Sequence, residues 1–174
     1  MFEEHQYLIE RRLWGNRKND RLMIKGIAGN VLGYYWLDEK AIAIKDVDGV
    51  TQGEVQRLSG SNYVLTVFGP QHTLRGTVKQ TETGTKGLIS IPSKWVIMDP
   101  QGGLLATFRA THNNRLSYYW QFKGPDEELV ANVHHSSNKE FIQLEVTRPG
   151  FDPLLLLADI IYQMASRGVP LVPM

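Results

Sequence analysis

The sequence has no cysteine. Disulfides, thiol nucleophiles and cysteine-ligated metals are excluded together, and the composition suits a reducing compartment. No charge of one sign dominates either: Lys plus Arg is 19 and Asp plus Glu is 18. A near-neutral balance gives no overall attraction to nucleic acid or to an anionic membrane, so such binding has to come from a local patch. Long apolar runs are missing. A spanning helix takes about 20 apolar residues, and the longest run, Leu154 to Ala165, is shorter and broken by Asp159. The opening Met1-Phe2-Glu3-Glu4-His5-Gln6 has no basic stretch leading into an apolar core, so no secretory leader is expected. Catalytic signatures are absent too. There is no Gly-x-Ser-x-Gly elbow and no glycine-rich phosphate loop before a helix, and Ser90, Ser93 and Ser117 have no base beside them. An enzyme is not expected, and no cofactor is implied.

Helical patterning is scarce, with one exception. Asp152 is a good N-cap residue, and Pro153 suits the first helical position, where a missing N–H leaves no bond unmade. Leu154-Leu155-Leu156-Leu157-Ala158-Asp159-Ile160-Ile161-Tyr162-Gln163-Met164-Ala165 follows, and Gly168 and Pro170 stand where the helix should stop. Apolar side chains cover almost the whole circumference, so this helix must be surrounded.

The rest reads as strands. Expected strands are 6–14, 22–28, 31–37, 41–45, 51–58, 63–68, 73–80, 88–91, 94–98, 104–110, 116–123, 129–134 and 141–146, separated by Gly, Asn, Asp and Pro turn signals. The pattern repeats internally. Ile44, Asp46, Gly49 and Val55 recur as Ile97, Asp99, Gly102 and Phe108, each 53 positions on. Tyr63, Gly69, Pro70, Leu74 and Val78 recur as Tyr118, Gly124, Pro125, Leu129 and Val133, each 55 positions on. Two copies are too few for an open solenoid but suit a closed sheet, which also removes exposed edges. About eight strands already enclose an interior that side chains fill, so a barrel of twelve has room for the helix. Gly76 and its counterpart Ala131 are small residues between apolar ones on matching strands, which lets a helix approach; the alternative for Gly76 is a bulge. The expected fold is all-β with one helix: a closed twelve-stranded antiparallel barrel, internally duplicated, enclosing a C-terminal hydrophobic helix. We read one domain over 1–174, with repeat copies at roughly 41–80 and 94–135 and the core helix at 152–167.

Asp46-Val47-Asp48-Gly49, Asp99-Pro100-Gln101-Gly102, the Gly69-Pro70 and Gly124-Pro125 turns, and above all Asp152-Pro153-Leu154-Leu155-Leu156-Leu157-Ala158 together resemble the tubby-like superfamily, nearest its LURP-one-related and phospholipid-scramblase branch. The resemblance runs over almost the whole chain and rests on turn and core motifs. It implies a non-enzymatic module. Tubby domains bind phosphoinositides, scramblases move phospholipids in a calcium-dependent way, and many LURP-one-related proteins have no settled biochemical role. The chain departs from true scramblases in lacking a Cys cluster, a Pro-rich N-terminal stretch and a spanning segment.

Arg11, Arg12, Arg17, Lys18, Arg21 and Lys25 concentrate positive charge near the start, opposed only by Asp20. This is the candidate site for an anionic headgroup or phosphate, each cation near a membrane surface contributing about 1 kcal/mol. Trp14, Tyr34, Tyr35 and Trp36 could stack on bases, but are assigned to the barrel wall, and no nucleic acid is expected. Asp46, Asp48 and Asp99 are too sparse for calcium, which takes about six to eight oxygens, and read as hairpin turns. His134 and His135 should face opposite sides of a strand and cannot share a metal, and His112 has no partner at ligand spacing, so no metal site is assigned. Asp159, Gln163 and Arg167 form one helical stripe, expected to face a barrel mouth and solvent; the alternative is a buried Asp159 paired with Arg75, Arg109 or Arg148. The expected partner is an anionic lipid surface bound peripherally from the cytoplasm. A protein-interaction scaffold or a scramblase-related lipid-handling protein is the alternative.

Overall fold

The computed structural model describes residues 4–10, 21–37, 41–58, 64–82, 85–86, 89–90, 94–109, 111–114, 117–136 and 141–166. The strands are β1 (Gln6–Glu10), β2 (Leu22–Gly26), β3 (Val31–Leu37), β4 (Ala41–Asp46), β5 (Thr51–Leu58), β6 (Val64–Phe68), β7 (Leu74–Glu82), β8 (Thr85–Lys86), β9 (Ile89–Ser90), β10 (Lys94–Met98), β11 (Leu104–Arg109), β12 (Thr111–Asn114), β13 (Ser117–Lys123), β14 (Leu129–Ser136) and β15 (Phe141–Val146). One helix, α1 (Pro153–Ser166), follows. β8 and β12 fall where the sequence suggests a loop and a turn: both are short and polar, with no apolar alternation to reveal them.

The ring runs β1-β2-β3-β4-β5-β6-β7-β10-β11-β13-β14-β15 and returns to β1, every pairing antiparallel. This is the closed twelve-stranded barrel expected from the sequence. β15 meets β1 through Tyr7↔Leu144 and Ile9↔Ile142. The second seam is β11 against β13, at Thr107↔Lys123 and Phe108↔Phe122. β12 carries the line of β11 further along β13, and β8–β9 is a separate small hairpin. Strict alternation explains the wall. Tyr7, Ile9, Ile24, Tyr35, Ile44, Leu65, Val67, Val78, Ile97, Phe122 and Leu144 point inward and are essentially inaccessible, while their sequence neighbours face out.

The helix fills the barrel. Asp152 caps it: its Oδ1 accepts from the Leu154 N–H at 3.0 Å, and its carbonyl accepts from Leu155 at 3.2 Å. Leu154 to Tyr162 are all buried. Asp159 is among them at 0% exposure, which corrects the expectation that it faces solvent; the side chain of Gln163, and Arg167, lie outside what is described. The wall surrounds the middle of the helix on every side, so no direction remains for a polar face. Arg75 and Arg148, two of the partners considered for it, are engaged at the barrel mouth with Asp152 and Glu128.

The helix runs closest to β5, β6 and β7, where glycine leaves room. A Cβ on Gly53 would sit 2.5 Å from Leu154 Cδ1, and one on Gly76 would sit 3.1 Å from Leu155 Cδ2 and 2.4 Å from the Met98 carbonyl oxygen. Their counterparts in the other repeat are Ala106 and Ala131, both fully buried. The duplicated barrel is thus broken from symmetry by two missing methyl groups, and the helix leans to that side. Gly76 also follows a bulge, where the register shifts between Val67↔Gly76 and Phe68↔Leu74. Leu74, two residues before Gly76 on β7, is 42% exposed, because the bulge and the barrel rim take it out of the inner row.

The turns repeat in detail. Asp46 N–H donates to the Val50 carbonyl, Gly49 N–H to the Asp46 carbonyl, and Asp48 and Val50 N–H to Asp46 Oδ1. The same four bonds recur 53 residues on, with Asp99, Gly103, Gly102 and Gln101. Gly49 and Gly102 hold left-handed φ of 82° and 87°, which glycine adopts without strain. The corresponding position of the 124–128 turn is Glu127, at φ 61°.

Candidate functional site

Antiparallel order places the turns 26–30, 46–50, 69–73, 99–103 and 124–128 at one end of the barrel, together with residues 4–5 and the β15–α1 connection. Two regions stand out: the outer wall of β2–β4 beside β15, and this mouth.

The wall carries cations held over aromatic rings. The Arg21 guanidinium carbon is 3.9 Å from the Tyr34 ring centre, Lys25 Nζ 4.7 Å from that of Phe141, and Lys45 Nζ 5.5 Å from that of Trp36. Tyr34 and Trp36 are 6.5 Å apart, tilted at 53°. Pairing explains the assembly: Met23↔Tyr34↔Lys45 forms one row across β2, β3 and β4, and Leu8↔Lys25 joins β1 to it. Their inward neighbours Leu22, Ile24, Tyr35 and Ile44 are core, so these side chains must face out. Glu10 adds a carboxylate at the edge, accepting from the Met23 N–H at 2.8 Å.

Of the six sequence-identified cations, the structure places Arg21 and Lys25 on this wall; Arg11, Arg12, Arg17 and Lys18 lie outside the described residues. Tyr34, Tyr35 and Trp36 all lie in the barrel wall, in β3, but on different faces. Alternation sends Tyr35 inside, at 1% exposure, with its hydroxyl donating to the Glu10 carbonyl, and Tyr34 and Trp36 outside. Trp14 lies outside the described residues. Lys45 and Phe141 were missed, because only strand pairing brings them beside the cluster. Their one sequence signal is the position of Lys45 on the outward parity of its strand.

The mouth surrounds the helix N-terminus. Arg75 Nε donates to Asp152 Oδ2 at 2.8 Å, and Arg148 donates to Glu128 at 3.0 Å. Two cavities share Arg75, Arg148, Gly150, Phe151 and Asp152. One, of about 330 Å³, is bounded by Leu74, Pro100, Leu105 and Pro149; the other, of about 460 Å³, by His5, Gln52, Pro70 and Val146. At the rim, partial desolvation of the Asp46 carboxyl raises its pKa. Hydrogen bonds from the N–H groups of Val50, Asp48 and Gly49 and from the Gln52 amide outweigh this and hold it below the ordinary value. A third concavity, of about 490 Å³, lies at the β11–β13 seam between Lys94, Arg109 and Lys123, with Lys123 paired to Glu127 at 3.2 Å.

His134 is exposed and His135 buried, on opposite faces of β14, as alternation requires. Among the described residues no helix is long and apolar enough to cross a membrane.

No protein-family model matches the chain. No curated protein matches it. An X-ray structure of a protein from Arabidopsis thaliana superposes with a TM-score of 0.57 at 16% identity, over 92% of this chain and 90% of that one. The two chains share a fold. At this identity the likeness concerns architecture alone.

Proposed function

We propose that the chain is a non-enzymatic, tubby-like binding module that recognises anionic phospholipid headgroups through the outer wall of β2–β4. The observation that carries this reading is the set of three cations, Arg21, Lys25 and Lys45, each standing over an aromatic ring on one wall. An aromatic ring under a cation limits the freedom of a long side chain, so less entropy is lost when the cation meets a phosphate. Tyr and Trp rings also suit the headgroup layer, where one part of the side chain is apolar and the other wet. Arg11, Arg12, Arg17 and Lys18 precede Arg21 in sequence and add charge to the segment that enters β2. The resemblance of the Asp and Gly-Pro turns and the Asp152-Pro153 helix start to the LURP-one-related branch supports the family part of the proposal.

Co-sedimentation with vesicles containing phosphatidylserine or phosphoinositide, at physiological salt, tests it. Binding should fall by about tenfold or more in a K25E/K45E variant and weaken in Y34A/W36A, because each lost cation contributes about 1 kcal/mol. It should also weaken as salt rises. Sedimentation equal to that with neutral vesicles, or unmoved by these variants, rejects the reading.

A further inference from the structure

The large hydrophobic side chains exposed among the described residues are Ile27, Val47, Val50, Leu74 and Leu104, at 53%, 55%, 56%, 42% and 42%. They lie in two turns and at two strand starts, and antiparallel order places all five at the mouth around the α1 N-terminus. Hairpin tips ordinarily carry Gly, Asn, Asp or Ser. Ile27 and Val47 occupy central turn positions where nothing in the barrel needs an apolar side chain. Pro100 and Pro149 extend the apolar surface into the 330 Å³ cavity, where they meet Leu74 and Leu105. A single exposed apolar residue is ordinary, whereas a group of them around a cavity marks a contact surface.

The charges around this surface say what it meets. Its arginines, Arg75 and Arg148, are each paired with a carboxylate. Glu4, Asp48 and Asp126 stand on the same rim with no cation among the described ion pairs, and Asp46 and Asp99 accept within their own turns. The rim is therefore negative. An anionic bilayer is repelled there, and an approaching chain with apolar and positive side chains is attracted. We propose that this end of the barrel docks a segment of a partner protein in which lysine or arginine alternates with leucine-like residues. The apolar residues enter the two cavities and cover the Ile27, Val47 and Leu104 tips, and the cations meet Asp48, Asp126 and Glu4. The site adjoins the cationic wall, since Lys25 and Lys45 stand two residues before Ile27 and Val47, but it shares no residue with that wall and does not require lipid binding.

A fluorescent peptide of alternating lysine and leucine is the probe, followed by polarisation against the full chain. Two controls keep half of its chemistry each: lysine alternating with serine, and glutamate alternating with leucine. The lysine–leucine peptide should bind saturably, and both controls about tenfold more weakly or worse. Two variants, I27S/V47S/L104S and D48K/D126K, should each lower its affinity about tenfold, with thermal unfolding showing that both remain folded. The K25E/K45E wall variant should bind the peptide at least as well as the unaltered chain, and the mouth variants should keep any affinity for anionic vesicles. Equal binding of either control, or peptide binding unmoved by the mouth variants, overturns the proposal. A self-associating dimer abolished by the same substitutions overturns it too, because the occupant is then a second copy. So does vesicle binding lost through the mouth variants.

Discussion

At the residue scale, a few side chains set the barrel's hairpins, and Asp46 shows how. Its carboxylate oxygens accept from the Asp48 and Val50 N–H groups and from Gln52 Nε2, the last at 2.7 Å. Those bonds favour the ionised form and lower its folded-state pKa below the ordinary carboxylate value. The sign of the pH effect follows. A group whose pKa is lower when folded contributes stability above its unfolded pKa of about 3.9, and loses that contribution as pH falls through the folded value. An Asp46→Asn variant keeps an oxygen acceptor but has no proton to gain. Denaturant unfolding of both proteins from neutral pH down through the carboxylate range should show their difference in stability constant above about pH 5 and shrinking below it. A difference that stays constant to low pH rejects the role given to these bonds. Asp46 was readable as a turn residue from Asp-x-x-Gly alone. Its recurrence at Asp99 was readable too, because a turn's bonds are local and need only the residues that make them.

At the element scale, the helix and the wall are fitted to each other. Gly53, paired with Ile44 of β4 and on the inward face of β5 with Val55, has no side chain, and Leu154 fills the space it leaves. A Cβ at 2.5 Å from Leu154 Cδ1 is far inside contact distance, so Gly53→Ala forces a shift of Leu154. Overpacking of this kind costs about 1–3 kcal/mol. Shortening the facing residue in the same chain, Gly53→Ala with Leu154→Ala, restores space for the methyl group. The double variant should therefore be less destabilised than the sum of the two single ones, by about 0.5–3 kcal/mol. Strict additivity in chemical denaturation rejects the contact. This fit was partly legible. The sequence offered Gly76 and its repeat counterpart Ala131 as room for a helix, but the role of Gly53, whose counterpart is Ala106, became visible only when the structure placed β5, β6 and β7 beside the helix. The direction in which the helix leans depends on which copy has the glycines, and on contacts between residues about a hundred positions apart.

At the scale of the whole molecule, the barrel and helix need each other. The strand rhythm of the ring was legible because turn residues punctuate the chain at regular intervals, and the closure because an all-round apolar helix requires an enclosure. The cationic wall was half legible: Arg21 immediately precedes β2 and Lys25 lies on it, whereas Lys45, Trp36 and Phe141 join them only through cross-strand register. The burial of Asp159 was legible only as the alternative, since a polar residue at helical spacing from Gln163 and Arg167 suggests an outer stripe, and it is the complete ring that encloses it. The ring also decides what loss of the helix does. Leu154, Leu155, Leu156, Leu157, Ile160 and Ile161 are buried, and each contributes about 1.5–3 kcal/mol relative to exposure. Together they supply on the order of 10 kcal/mol, comparable to the entire stability of an ordinary domain. Without them Ile9, Ile24, Ile44, Leu65, Ile97 and Leu144 would face a lumen too wide for wall side chains to close. A chain ending before Asp152 should therefore lose cooperative thermal unfolding and expose apolar surface to a hydrophobic dye, instead of persisting as an empty barrel. Retention of a sharp unfolding transition in that truncation means that the wall folds by itself and the helix is an addition to it.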